Sequence, residues 1–98
     1  MKPTFEMLAM LRKQIGCKVI YYPRPERNPT IGQFTGLDYN EEKKIVTITL
    51  QIIDRKLNLI EPIDWLELKI VSGNVEIFKF REWRVVFIEA GEKVDMEG

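Results

Sequence analysis

The sequence predicts a mainly β fold: a short N-terminal helix followed by a strongly bent, five- to six-stranded antiparallel sheet that forms a small barrel. Three observations predict it. Apolar residues recur at three- and four-residue steps only near the N-terminus, strict alternation occupies residues 45–53, and short polar turns separate several runs rich in β-branched and aromatic residues. Such strands cannot bury a flat sheet unaided, so the sheet rolls up and the helix covers one open end.

Taken in order, Thr4 caps a helix over about 4–15, with Phe5, Leu8, Leu11 and Ile15 on one face and Gly16 just past its end. CKVIYYP, from Cys17 to Pro23, reads as a strand that stops at proline. Pro23, Pro25 and Pro29 then forbid a central strand and favour an exposed loop carrying Arg24 and Arg27, which is either simply solvated or turned toward phosphate. Thr30 to Tyr39 is a strand in which Gly32 and Gly36 mark a bend or a close backbone approach. The polar DYNEEKK stretch turns the chain into a strand from Ile45 to Ile53, with Val46, Ile48, Leu50 and Ile52 on the core side. DRKLNLIEP is expected to be a loop, and Ile63 to Val71 a strand with Leu66, Leu68 and Ile70 inward and Trp65 on the other face. SGN at 72–74 is a tight hairpin signal, strands follow at about 75–80 and 83–90, and 91–98 reads as a tail. One domain, 1–98, contains a barrel over about 17–90.

Composition narrows the function. The 98 residues hold 15 basic and 15 acidic side chains, which argues against broad adhesion to a phosphate backbone and leaves only local patches. There is no histidine, so no imidazole base, no Ser-His or Cys-His pair and no HExxH zinc site is available. The acidic residues lack calcium-loop spacing, and no Gly-rich phosphate loop is present. The expectation is a protein that is not an enzyme, with no cofactor, no metal and no evident small-molecule substrate. Cys17 is alone, which rules out an internal disulfide, and no secretory or membrane-spanning segment is evident, so a cytoplasmic setting is expected.

Three segments carry a family resemblance: LRKQIGCKVIYY (helix end, glycine, first strand), IGQFTGLDYN (two spaced glycines, an apolar residue, then Asp38) and FREWRVVFIEA (an apolar residue, Arg81, then a closing apolar strand). Together the chain resembles the Sm-like family, whose fold is an SH3-like small barrel behind a short helix. The resemblance implies RNA binding and ring-shaped homo-oligomers closed through edge strands. Asn40 stands two residues after Asp38 where the family places its Asn four after, and Glu82 and Trp83 follow Arg81 where the family has Gly and then an amide or acid. These departures fall on positions that hold a uridine in RNA-binding members.

Single-stranded bases are held by aromatic or guanidinium surfaces and read by amides or carboxylates. On that chemistry Tyr39 and Arg81 stack, Asn40 reads a base edge, Asp38 orients its neighbours, Trp83 completes the site, and Arg24 and Arg27 meet phosphate. The competing reading makes Tyr39 and Asn40 turn residues, Arg81 and Glu82 an exposed corner, and Trp83 a core or interface ring. Val85, Val86, Phe87 and Ile88 are apolar on both faces of the last strand, which predicts an edge that pairs with a second copy. The expected function is a self-associating Sm-like barrel that binds single-stranded RNA; the alternative is a protein-interaction or structural assembly barrel that binds none.

Overall fold

The computed structural model describes residues 4–88. Helix α1 (Thr4–Arg12) precedes β1 (Lys18–Tyr22), β2 (Thr30–Asn40), β3 (Ile45–Ile52), β4 (Arg55–Pro62), a one-turn 3-10 link (Ile63–Trp65), β5 (Leu66–Val71), β6 (Asn74–Phe80) and β7 (Trp83–Phe87). The seven strands form one antiparallel sheet in the order β4-β3-β2-β1-β7-β6-β5. The tail at 91–98 and the end of the last predicted strand lie outside the described residues.

The sheet has seven strands rather than five or six, because DRKLNLIEP is not a loop. Arg55–Pro62 pairs with all of β3, from Ile52↔Arg55 to Ile45↔Pro62, and Leu57, Leu59 and Glu61 are its half-buried positions. The reason it looks like a loop is its turn. Ile53 and Asp54 close the hairpin without the Gly or Asn that usually announces one, and the strand opens on charges and closes on proline. The predicted strand at 63–71 begins three residues late, since Ile63–Trp65 coils into the link.

The link also shows how the sheet must be shaped. In a flat sheet six spacings of about 4.8 Å would hold β4 and β5 roughly 29 Å apart, whereas the step from Pro62 to Leu66 spans at most about 14 Å. The sheet therefore rolls, bringing its two outer strands toward each other. A bond across the roll agrees: the indole N–H of Trp83, at the start of β7, donates to Glu61 near the end of β4 at 2.8 Å. The roll does not close, because the chain turns through the link before β5 begins and no ladder joins β4 to β5. The predicted closed barrel is thus corrected to an open, rolled sheet.

Bending concentrates in β2. Its register with β3 shifts between Phe34 and Gly36, and a Cβ on Gly32 would lie 2.6 Å from the Gln51 carbonyl oxygen, so only glycine lets the two backbones approach this closely. The buried side chains form one cluster. Val46, Ile48, Leu50 and Ile52 of β3 meet an aromatic group in which Phe34, Phe78 and Phe87 stand 5.6–5.8 Å apart between ring centres. α1 lays Leu8 and Leu11 into this core, and burying such a side chain is worth about 1.5–3 kcal/mol. The helix stops at Arg12, short of the predicted 15, because the next turn tightens through Gln14 N–H to Leu11 and Ile15 N–H to Arg12 bonds. That tightening buries Gln14, whose side-chain amide donates to the Val75 carbonyl of β6 at 3.1 Å.

β7 is not an edge. It lies between β1 and β6, paired from Val19↔Phe87 to Tyr22↔Arg84 on one side and from Ile77↔Val86 to Phe80↔Trp83 on the other. Val85, Val86 and Phe87 thus have no free strand side, and the Ile88 N–H continues the ladder by donating to the Lys18 carbonyl at 3.1 Å. Apolar residues on both faces reflect a central position in the sheet, with one face on the core and the other among half-buried neighbours. The free edges belong to β4 and β5. No helix among the described residues is long and apolar enough to cross a membrane.

Candidate nucleic-acid interface

The β6–β7 hairpin closes in two residues, Arg81 and Glu82, between the paired Phe80 and Trp83. Arg81 has φ 51°, in the left-handed region that costs a non-glycine residue roughly 1 kcal/mol. That backbone turn aims its side chain sideways onto the link, where the guanidinium carbon lies 3.8 Å from the centre of the Trp65 ring. Both residues are exposed, Trp65 by 38%, so one face of the stacked pair is open to solvent. A cation stacked on indole at an exposed site is worth about 0.5–1 kcal/mol.

Trp83 does not belong to this surface. It is 7% exposed, stacks on Phe80 with ring centres 5.1 Å apart, and meets Tyr21 edge-on at 6.0 Å. Its N–H is satisfied by Glu61, as a buried indole requires. The alternation of β7 points Trp83, Val85 and Phe87 inward together, which places Trp83 in the core and corrects its assignment to the RNA site.

The residues proposed from β2 divide. Asp38 is exposed opposite Thr47; Tyr39 is half-buried and meets Phe5 of α1 edge-on at 6.5 Å. Asn40 is exposed, and its side-chain oxygen accepts the Lys43 N–H at 2.9 Å, fixing the β2–β3 turn. Tyr39 and Arg81, the two surfaces expected to stack a base, thus have separate aromatic neighbours, Phe5 and Trp65 respectively. A continuous path nevertheless links the turn to Arg81. The Ile63 N–H donates to the Lys44 carbonyl at 2.9 Å, tying the link to the turn that carries Asn40, Lys43 and Lys44, and Trp65 ends the link beneath Arg81.

Arg24 and Arg27 are exposed in the β1–β2 loop, where the Arg27 N–H donates to the Arg24 carbonyl at 3.1 Å. Because Tyr22 faces Arg84, this loop leaves the sheet at the same end as the Arg81–Glu82 turn. The neutral total charge is also unevenly spread. Four acids, Glu89, Glu92, Asp95 and Glu97, fall past residue 88 with only Lys93, and Lys2 precedes residue 4, so the described body carries two more bases than acids.

Trp65, read from the sequence as an outward residue that could meet a partner, was not read as the ring beneath Arg81. Its signal was phase: it falls out of step with the inward Leu66 and Leu68, an indole with no core to fill. A cleft of about 600 Å³ opens elsewhere, between the β1–β2 loop and the β3–β4 turn, lined by Tyr21, Asn28, Ile52, Arg55 and Leu57 among others. Burial, and then the nearby charge of Glu61, raise the Tyr21 phenol above its ordinary value of 10.0, so it stays a neutral donor. Among the described residues no group of three or more His, Cys, Asp or Glu side chains is placed to hold a metal ion. Comparison with protein-family models, with curated proteins and with solved structures gives no match for this chain.

Proposed function

We propose that this is a non-enzymatic, Sm-like small β module that self-associates and binds single-stranded RNA. The observation that carries the RNA reading is the exposed Trp65–Arg81 stack at 3.8 Å. A guanidinium already held over indole leaves an exposed surface for a base with little further ordering, and base stacking on such surfaces is worth about 1–3 kcal/mol. Asn40 carries an exposed amide suited to a base edge, and Lys43, Lys44, Arg24 and Arg27 are exposed cations suited to phosphate. Glu41, Glu42, Asp64 and Glu82 interleave with these cations, which favours weak binding by several subunits over tight binding by one.

Self-association is supported by the two edge strands. β4 exposes Ile60 by 63% and β5 exposes Ile70 and Val71 by 48% and 43%, beside backbone groups that no neighbouring strand satisfies. Pairing β4 of one copy with β5 of the next is a head-to-tail contact, which closes into a ring when the rotation allows.

Fluorescence anisotropy of labelled oligo-uridine at low salt tests the RNA reading. Native protein is expected to bind, with affinity falling as salt rises. Arg81→Ala or Trp65→Ala is expected to weaken binding at least about fivefold, and Tyr39→Phe to leave it unchanged. No binding by native protein, or equal binding by the Arg81 and Trp65 variants, would overturn the assignment.

A further inference from the structure

On the face of the sheet opposite the core, the register aligns one aliphatic side chain per strand. Ile31 of β2 faces Ile20 of β1, Ile20 faces Val86 of β7, and Val86 faces Ile77 of β6. Gly32 faces Ile52 at the end of that ladder, so Ile53, the first residue of the β3–β4 turn, follows at the Ile31 end of the row. Ile20, Val86 and Ile77 are half-buried, whereas Ile31 is 60% exposed and Ile53 87% exposed. α1 packs against β2 and β6 through buried Leu8 and Leu11, on the core side, and leaves this row open.

Ile53 gives the row its direction. It occupies a two-residue hairpin turn with φ 44°, where Gly, Asn or Asp normally stands and a β-branched residue is an outlier. Its side chain fills nothing within the fold, being more exposed than any other large apolar side chain among the described residues. A strained and exposed isoleucine disfavours the free protein twice over, which points to a contact outside the chain.

The borders of the row are basic. Arg84 lies along one side, its guanidinium 4.1 Å from the Tyr22 ring centre, with Lys79 opposite it on β6. Lys18 borders the other side on β1, and Lys69 faces Ile77 at the β5 end. The nearby acids are Glu76, which is spent on Lys69 at 3.3 Å, Glu67 opposite Lys79, and Asp54 beyond Ile53. Two copies of this face set against each other would oppose like charges, so a second copy does not fit. Four strand spacings of about 4.8 Å make the row roughly 19 Å long, the rise of about 13 residues of α-helix.

We infer that this row is a docking surface for an amphipathic helix of a partner protein, its aliphatic stripe lying across Ile53, Ile31, Ile20, Val86 and Ile77 and its flanks acidic to meet Arg84, Lys79 and Lys18. The helix runs across the strands, with side chains about four, seven, eleven and fourteen residues on from the first reaching successive positions of the row. This surface is separate from the Trp65–Arg81 stack, and its occupation does not depend on RNA.

The test uses a synthetic 18-residue helical peptide with that leucine stripe and glutamate flanks, a second with lysine flanks, and protein carrying ¹³C-labelled Ile and Val methyl groups. The glutamate peptide is expected to move the methyl signals of Ile53, Ile31, Ile20, Val86 and Ile77 saturably, and the lysine peptide to leave them in place. Ile31→Ser with Ile53→Asn is expected to weaken the glutamate peptide at least tenfold. Ile53→Asn alone is expected to raise the melting temperature while weakening the peptide, a combination that a purely structural role for Ile53 would not give. Unmoved signals, equal binding of both peptides, or binding indifferent to the substitutions would overturn the inference. So would methyl shifts that depend on protein concentration without peptide, which assign the face to a second copy, or Ile53-dependent sedimentation with phosphatidylcholine–phosphatidylserine vesicles, which assigns it to a membrane.

Discussion

Arg81 joins an unfavourable backbone to a favourable side-chain contact, and the two are separable. Arg81→Gly relieves a left-handed conformation worth roughly 1 kcal/mol and forfeits a cation–aromatic contact of about 0.5–1 kcal/mol. The melting temperature is therefore expected to move little while oligo-uridine affinity falls as far as in Arg81→Ala; a large loss of stability with affinity retained would place Arg81 in the structure and not in the site. Tyr21 makes a pH prediction. Its pKa is raised in the folded chain, by burial first and then by Glu61, so the neutral phenol's contribution is complete below pH 10.0 and is lost as pH climbs through the higher folded value. Urea denaturation between about pH 9 and 11 should show native protein losing stability more steeply than Tyr21→Phe; parallel curves would mean that this phenol does not matter.

Among the elements, β2 and its two strand glycines offer the sharpest contrast. Gly32→Ala drives a Cβ to 2.6 Å from the Gln51 carbonyl oxygen and 2.7 Å from the Ile52 side chain, and is expected to cost about 1–3 kcal/mol. Gly36→Ala meets only the Thr49 side chain at 3.5 Å and is expected to leave stability equal or up to about 1 kcal/mol higher. Chemical denaturation of the two variants checks the ordering, and equal losses would contradict the close approach. The helix start, β1, β2, β3 and the Ser72–Gly73 turn were legible in the sequence, since each couples a strong period to an unambiguous break. β4 was not, because Ile53–Asp54 is a turn that breaks the usual composition rule. β7 misled in another way: its two apolar faces are the mark of a central strand as well as of an exposed edge, and only the strand order separates the two. At the site, Arg81 was legible as the residue of a charged turn, whereas its contact with Trp65 was not, because Trp65 sits in a 3-10 link that the sequence reads as the start of a strand.

For the whole molecule, the short link at 63–65 is decisive. It forces the sheet to roll, leaves the outer sides of β4 and β5 without a strand partner among the described residues, and carries Trp65 to the rim where Arg81 can lie on it. If the edge strands are the self-association contact, light scattering should give a mass several times the 11.6 kDa of the chain, and Ile60→Lys or Ile70→Lys should return it to one. A native mass of one chain at all concentrations would remove that contact. The central claim concerns Trp65 itself, and the chain's two tryptophans supply their own control, one on the surface and one in the core. Protein labelled with 5-fluorotryptophan gives a fluorine NMR signal for each, and oligo-uridine is expected to shift the Trp65 signal saturably while the Trp83 signal stays in place. A Trp65 signal that does not move at saturating RNA, or that moves only together with Trp83, would contradict the stacking platform.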